Sequence, residues 1–206
     1  LNETALHQIQ KLGFSAQDVR NIILTHLDYD HSGGIADFPE AQVHIFAPEF
    51  IAAMVPTSLL EKIRYRPSHW SHSPNWIVHQ LSEGEDWHGF ECVKNMNNLP
   101  PEVLLIPLIG HTWGHCGVAI QTSNGWLLHA GDAYFHHKEI NKKTKFKKPL
   151  GINGLQRIVS VDHVSRVNNQ QLLSELGQQN VNHINIFCSH DPIEFNQTQP
   201  SDQTKK

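Results

Sequence analysis

The chain has 206 residues, with 16 Lys plus Arg against 20 Asp plus Glu and a net charge of -4. That length can bury a sizeable core as one domain, and the mildly acidic balance gives no reason to expect nucleic-acid binding. No apolar run approaches membrane-spanning length, so no membrane contact is expected.

The opening residues form neither a signal h-region nor a basic targeting helix. Three cysteines, Cys92, Cys116 and Cys188, lack C-x-x-C spacing, and an odd number leaves one unpaired within the chain. Both features fit a reducing, cytoplasmic setting. The chain starts at Leu1, as a fragment or a processed form would. Sixteen histidines exceed what any metal site needs, so most require another explanation.

In chain order, residues 4–12 carry a helical stripe of Leu6, Ile9 and Leu12, closed by Gly13 as a C-cap. Ser15 and Asp18 have capping-box spacing ahead of a short helical turn. Residues 21–25 read as a buried strand that runs into Thr25-His26-Leu27-Asp28-Tyr29-Asp30-His31-Ser32-Gly33-Gly34. A helical turn to residues 38–39, a strand at 43–47 and a helix at 48–54 with Pro in its first turn follow. Residues 58–76 mix Arg, His, Trp and Pro, which suits a pocket cover and a packed irregular surface equally.

Strands are expected at 77–81, 90–93 and 103–109, the last ending at Gly110-His111-Thr112-Trp113-Gly114-His115. Strands at 118–121 and 126–129 are joined by an Asn-Gly hairpin signal, and the second leads into Gly131-Asp132-Ala133-Tyr134. Six lysines between Lys138 and Lys148 read as a solvated loop. Helices are expected at 152–158 and 163–176, the second beginning at an Asp162 cap and stopping at Gly177. A last strand at 184–188 delivers Ser189-His190. One domain covers 1–195, and a polar tail follows from 196.

Two imidazoles and two carboxylates within six residues are metal-ligand chemistry. Taken alone, His26, Asp28, Asp30 and His31 also read as surface histidines and turn formers. The later strands change the balance, because three more of them end on a ligand-type residue: His111, Asp132 and His190. A site built where several buried strands end is rigidly held yet open to solvent, as a catalytic metal centre requires.

In order, these motifs resemble the metallo-β-lactamase superfamily: H-x-D-x-D-H at His26 to His31, G-H-T-x-G-H at Gly110 to His115, Asp132 after a strand and His190 after the last strand. The resemblance spans the chain from Thr25 to Pro192. It implies an α+β fold, an αββα sandwich of two sheets with helices outside. It also implies that His26, Asp28 and His111 hold one metal, that Asp30, His31 and His190 hold a second, and that Asp132 bridges them. Two divalent ions are expected, zinc first, with iron or manganese as alternatives because Asp28 stands where most hydrolases of the family have His and is a harder ligand. Only 25 residues precede His26, so the N-terminal part of the first sheet is expected to be missing. An uncovered sheet edge invites pairing, hence an expected homodimer.

Two ions sharing a water would supply hydroxide near neutral pH for attack on a small carbonyl substrate such as a lactone, thioester, ester or β-lactam. Asp30 would orient the nucleophile. Tyr134 is either an oxyanion donor or a packed core tyrosine. His115 reads as structural. A di-iron oxidoreductase and a catalytically compromised binding protein are the alternatives.

Overall fold

The computed structural model describes residues 3–82, 84–95, 99–141, 150–179 and 183–198. The lysine-rich stretch expected as a loop lies mostly outside them. Helix α1 (Ala5–Lys11) leads into β1 (Asn21–Ile23), the one-turn α2 (Tyr29–Ser32), β2 (Gln42–Phe46), α3 (Ala47–Met54), α4 (Leu59–Arg64) and β3 (Asn75–His79). Next come β4 (Glu85–Trp87), β5 (Phe90–Asn95), β6 (Val103–Pro107), β7 (Cys116–Thr122) and β8 (Gly125–His129). Helices α5 (Leu150–Val159) and α6 (His163–Gln179), strand β9 (Asn185–Phe187) and α7 (Pro192–Thr198) complete the order.

The strands form two sheets, β1-β2-β3, all parallel, and β4-β5-β6-β7-β8-β9, antiparallel up to β8 with β9 parallel to it. Side-chain alternation explains how they stack. On β2, Val43 and Ile45 face a cluster with Ala52 and Ala53 of α3, while Phe46 faces Leu105 of β6 and Cys116 of β7. On β6, Ile106 turns away from that inter-sheet layer into a cluster with Leu128, Leu173 and Leu176, the last two from α6. The order is therefore helix, sheet, sheet, helix, the αββα sandwich expected from the resemblance. Among the described residues β1 is an edge strand with β2 as its one neighbour.

Beyond shifted strand ends and the unexpected β4, three elements differ from the sequence reading. Helix α6 passes through Gly177 to Gln179; an interior glycine costs a helix about 1 kcal/mol, and burial of Leu173 and Leu176 offsets it. Helix α7 occupies residues read as the start of a frayed tail, because Asp191 Oδ1 caps it by accepting from the Ile193 and Glu194 N–H groups. The 58–76 segment contains α4, opened by a capping box of Ser58 and Glu61, and it contributes Tyr65 and Trp70 to the core.

Glu61 anchors that helix. Its carboxylate accepts from the N–H groups of Thr57 and Ser58, the Thr57 hydroxyl and the Trp113 indole. Burial acts to raise its pKa, but these four donors outweigh it and bring the group down to about 2 from 4.5. A depressed carboxylate stabilises the fold fully above its unfolded pKa and loses that contribution as pH falls toward the folded value. Glu61→Gln should therefore lower the urea midpoint at pH 6 to 7, and the gap to the parent chain should narrow steadily below pH 4.5. A gap independent of pH would show that the charge of Glu61 contributes nothing.

Candidate metal centre

Every ligand-type residue of the four motifs comes to one end of the sandwich. His26 follows β1 and is fully buried. Its Nδ1 pairs with Thr25 Oγ1 at 2.9 Å, which turns Nε2 inward. Asp28 occupies the N-cap position of α2 but its side chain makes no capping bond, so the carboxylate is free to face the same point. The single turn of α2 then carries Asp30 and His31 beside it. His111 leaves β6, Asp132 leaves β8 through Gly131 at φ +54°, and His190 leaves β9.

The distances divide these side chains into two groups about one carboxylate. Asp28 Oδ2 lies 3.1 Å from His111 Nε2 and 3.7 Å from His26 Nε2. Asp30 Oδ2 lies 3.6 Å from His31 Nε2 and 3.8 Å from His190 Nε2. Asp132 stands between them: Oδ2 is 3.1 Å from His190, 3.7 Å from His111 and 3.9 Å from His26, and Oδ1 is 3.4 Å from His31. The first group is buried, and Asp30 with His190 forms the more exposed side.

These residues suit divalent cations. Buried polar atoms are almost always hydrogen-bonded, yet His26 Nε2, His31 Nε2 and Asp132 Oδ1 are buried without a hydrogen-bond partner. Imidazole nitrogens and carboxylate oxygens left open toward a common point are what zinc-type coordination uses. Burial acts to raise the pKa of Asp28 and of Asp132, but the neighbouring imidazoles overcome it and hold both carboxyls well below the usual range. Both are anionic at neutral pH, ready for a cation.

Sequence reasoning missed three residues that frame the centre. Glu49 of α3 is completely buried; its Oε1 accepts from Leu27 N–H at 2.9 Å and from the Tyr65 hydroxyl, and its Oε2 accepts from Gly114 N–H at 3.1 Å. It thus ties the first motif to the second. A side chain on Gly114 would collide with the Glu49 backbone, which explains that glycine. The available signal was a carboxylate at the i position of a stripe whose i+3 and i+4 members, Ala52 and Ala53, are core residues. Arg64 of α4 places Nε 3.0 Å from Asp28 Oδ1, and Phe135 packs edge-on against His111 and His190. Neither had a local signal.

Other histidines are accounted for without a metal. His115 Nδ1 bonds the Leu108 carbonyl at 2.9 Å, and its Nε2 accepts the Asp132 backbone N–H at 2.8 Å, the structural role expected for it. His136, His137 and Asp191 cluster, but their atoms are committed: Asp191 Oδ2 takes the His137 N–H and ring at 2.6 Å each, and His136 Nδ1 accepts from Lys138 N–H.

Tyr134 is a correction. It is completely buried, and its hydroxyl donates to the Glu194 carboxylate, 2.9 Å from Oε2, within the cluster under α6. It belongs to the core and cannot serve as an oxyanion donor from there. Tyr134→Phe should cost about 1 to 3 kcal/mol of stability by stranding a buried partner, measured by urea denaturation, while metal content stays that of the parent chain. For the centre itself, elemental analysis should find about two ions per chain, falling on Asp132→Ala and His190→Ala; unchanged content in both variants would refute this ligand set.

Comparison with known proteins agrees with the geometry. Residues 2–91 match the metallo-beta-lactamase superfamily. The chain is 40% identical over 190 residues to the probable metallo-hydrolase Rv2300c of Mycobacterium tuberculosis, covering 92% of this chain and 60% of that protein. It is 25% identical over 157 residues to an N-acyl homoserine lactonase of Bacillus cereus, covering 74% of this chain and 55% of the lactonase. The chain thus spans little more than half the length of these curated relatives. Its fold matches that of AiiA of B. thuringiensis, solved with N-decanoyl-L-homoserine at the active site, with a TM-score of 0.69 at 18% identity over 96% of this chain and 66% of that one. The dizinc quorum-quenching lactonase AidC matches with a TM-score of 0.60 at 21% identity over 91% and 62%. With four motifs in order, the sandwich and these likenesses, the chain belongs to the metallo-β-lactamase superfamily.

Proposed function

We propose that this protein is a dinuclear metal-dependent hydrolase acting on a small ester or lactone with an apolar acyl portion. The observation that carries the reading is the position of Asp132, whose two oxygens face imidazoles of both ligand groups at the floor of an open cleft. His26, Asp28 and His111 would hold one ion, Asp30, His31 and His190 the other, with Asp132 shared. Zinc is favoured because four of the seven donors are imidazoles.

Bound divalent ions supply Lewis acidity toward a carbonyl and lower the pKa of water. The chain's own residues do the rest. The cleft, of about 420 Å³, has Asp28, Asp30, His111, Asp132 and His190 on its floor and Leu60, Ile63, Phe135, Leu155 and Val159 on its walls. Those walls bury apolar substrate surface and exclude water from the reacting carbonyl. Asp30, whose side chain is partly exposed on that floor, is placed to accept a proton from the nucleophile or pass it to the leaving oxygen.

The relatives named N-acyl homoserine lactonase support the substrate class, since an acyl lactone combines the required carbonyl with an apolar tail. The test is a panel of N-hexanoyl- and N-decanoyl-homoserine lactone, an unsubstituted butyrolactone, an acyl thioester and a β-lactam, assayed with zinc, manganese or iron. The acyl lactones should turn over fastest, and a double His26→Ala, His111→Ala variant should lose at least about a hundredfold in kcat/KM. Absence of turnover across the panel by metal-loaded protein would overturn the hydrolase reading.

A further inference from the structure

The second ligand of the first group is a carboxylate where most hydrolases of the family have an imidazole. A buried carboxylate adds a negative charge to the site, so by itself it favours harder cations than zinc. The structure shows what accompanies that exchange. Asp28 divides its oxygens: Oδ2 faces His111 and His26, and Oδ1 faces the Arg64 guanidinium at 3.0 Å.

Arg64 is itself buried, at 5% exposure, and it is held on three sides. Its Nη1 donates to the His111 carbonyl at 2.8 Å and its Nη2 to the Val159 carbonyl at 2.7 Å. One backbone bond on each terminal nitrogen fixes the plane of the guanidinium and holds its Nε edge beside Asp28. A buried guanidinium is costly unless a counter-charge lies beside it, and here that counter-charge is the metal-facing carboxylate. Together Asp28 and Arg64 carry no net charge, as a neutral imidazole would.

We propose that Arg64 is a positioning residue that cancels the charge of Asp28 and leaves it one oxygen for the metal, so that the carboxylate acts as an imidazole equivalent and the site keeps a zinc-type preference. This rests on reading the cluster as a metal centre. Arg64 and Asp28 then form a matched pair: removing either alone leaves a buried charge uncompensated, and replacing both together restores balance.

The test is a double-mutant cycle on metal affinity, measured by chelator competition and elemental analysis on protein shown to be folded by circular dichroism. Asp28→His alone leaves Arg64 facing imidazoles and cations, and should weaken zinc binding at least about tenfold. Asp28→His combined with Arg64→Met should recover most of that loss. Arg64→Met alone should raise the manganese-to-zinc affinity ratio about tenfold, since Asp28 becomes a free carboxylate.

A role confined to tying α4 to His111 and Val159 predicts the opposite for the double variant, because a second loss would add to the first. If the double variant binds zinc no better than Asp28→His, the charge-pair proposal is overturned while the metal centre stands. If the parent chain binds no metal, the metal-centre reading falls and takes this proposal with it.

Discussion

The structure is organised around the Asp132 carboxylate, an anion held away from water and faced by four imidazoles. A buried charge is costly unless it is paired and hydrogen-bonded, so its surroundings must be rigid. They are. The Asp132 backbone N–H is fixed by His115 Nε2, and His115 is in turn oriented by the Leu108 carbonyl. A tight left-handed turn at Gly131 lets the chain approach, since a side chain there would meet the His115 ring. The second motif therefore does two jobs: His111 faces the Asp28 and Asp132 carboxylates and His115 aims the latter from behind.

Around this centre lie two buried charges with different partners. Glu49 is satisfied by two backbone N–H groups and the Tyr65 hydroxyl. It locks the backbones that carry the first two motifs. Arg64 pairs with a ligand carboxylate and donates to two carbonyls, one on His111 and one at the end of α5. The same helix supplies Leu60 and Ile63 to the cleft wall. The guanidinium paired with Asp28 and part of the apolar cleft wall are thus positioned by one element.

The elements most legible from sequence were those whose local pattern and tertiary role agree. The run before His26, the apolar stretch into Gly110 and the Asn-Gly hairpin each became a strand or strand pair, with β1 and β6 ending at Ile23 and Pro107, two residues before the expected ends. Asp162 caps its helix through the Val164 and Ser165 N–H groups. The misreadings arose where a cap or a packing contact outweighed composition. Residues 196–198 looked like a tail because they are polar, whereas the Asp191 cap one turn upstream makes them helical. Tyr134 lay close enough to Asp132 in sequence to suggest a catalytic part, but the turn after β8 sends its side chain to Glu194.

By itself the sequence determined which candidate ligands come together and their order, since they follow apolar runs whose burial aims the next residues to one end of the sandwich. It also showed that Asp28 is the unusual member of that set. Only the tertiary structure decided what Asp28 means chemically. Its ion-pair partner is 36 residues away on α4, and the atoms that fix that partner lie 47 and 95 residues from it. Local periodicity carries no information over such separations, because a buried charge acquires its counter-charge through packing and not through spacing along the chain.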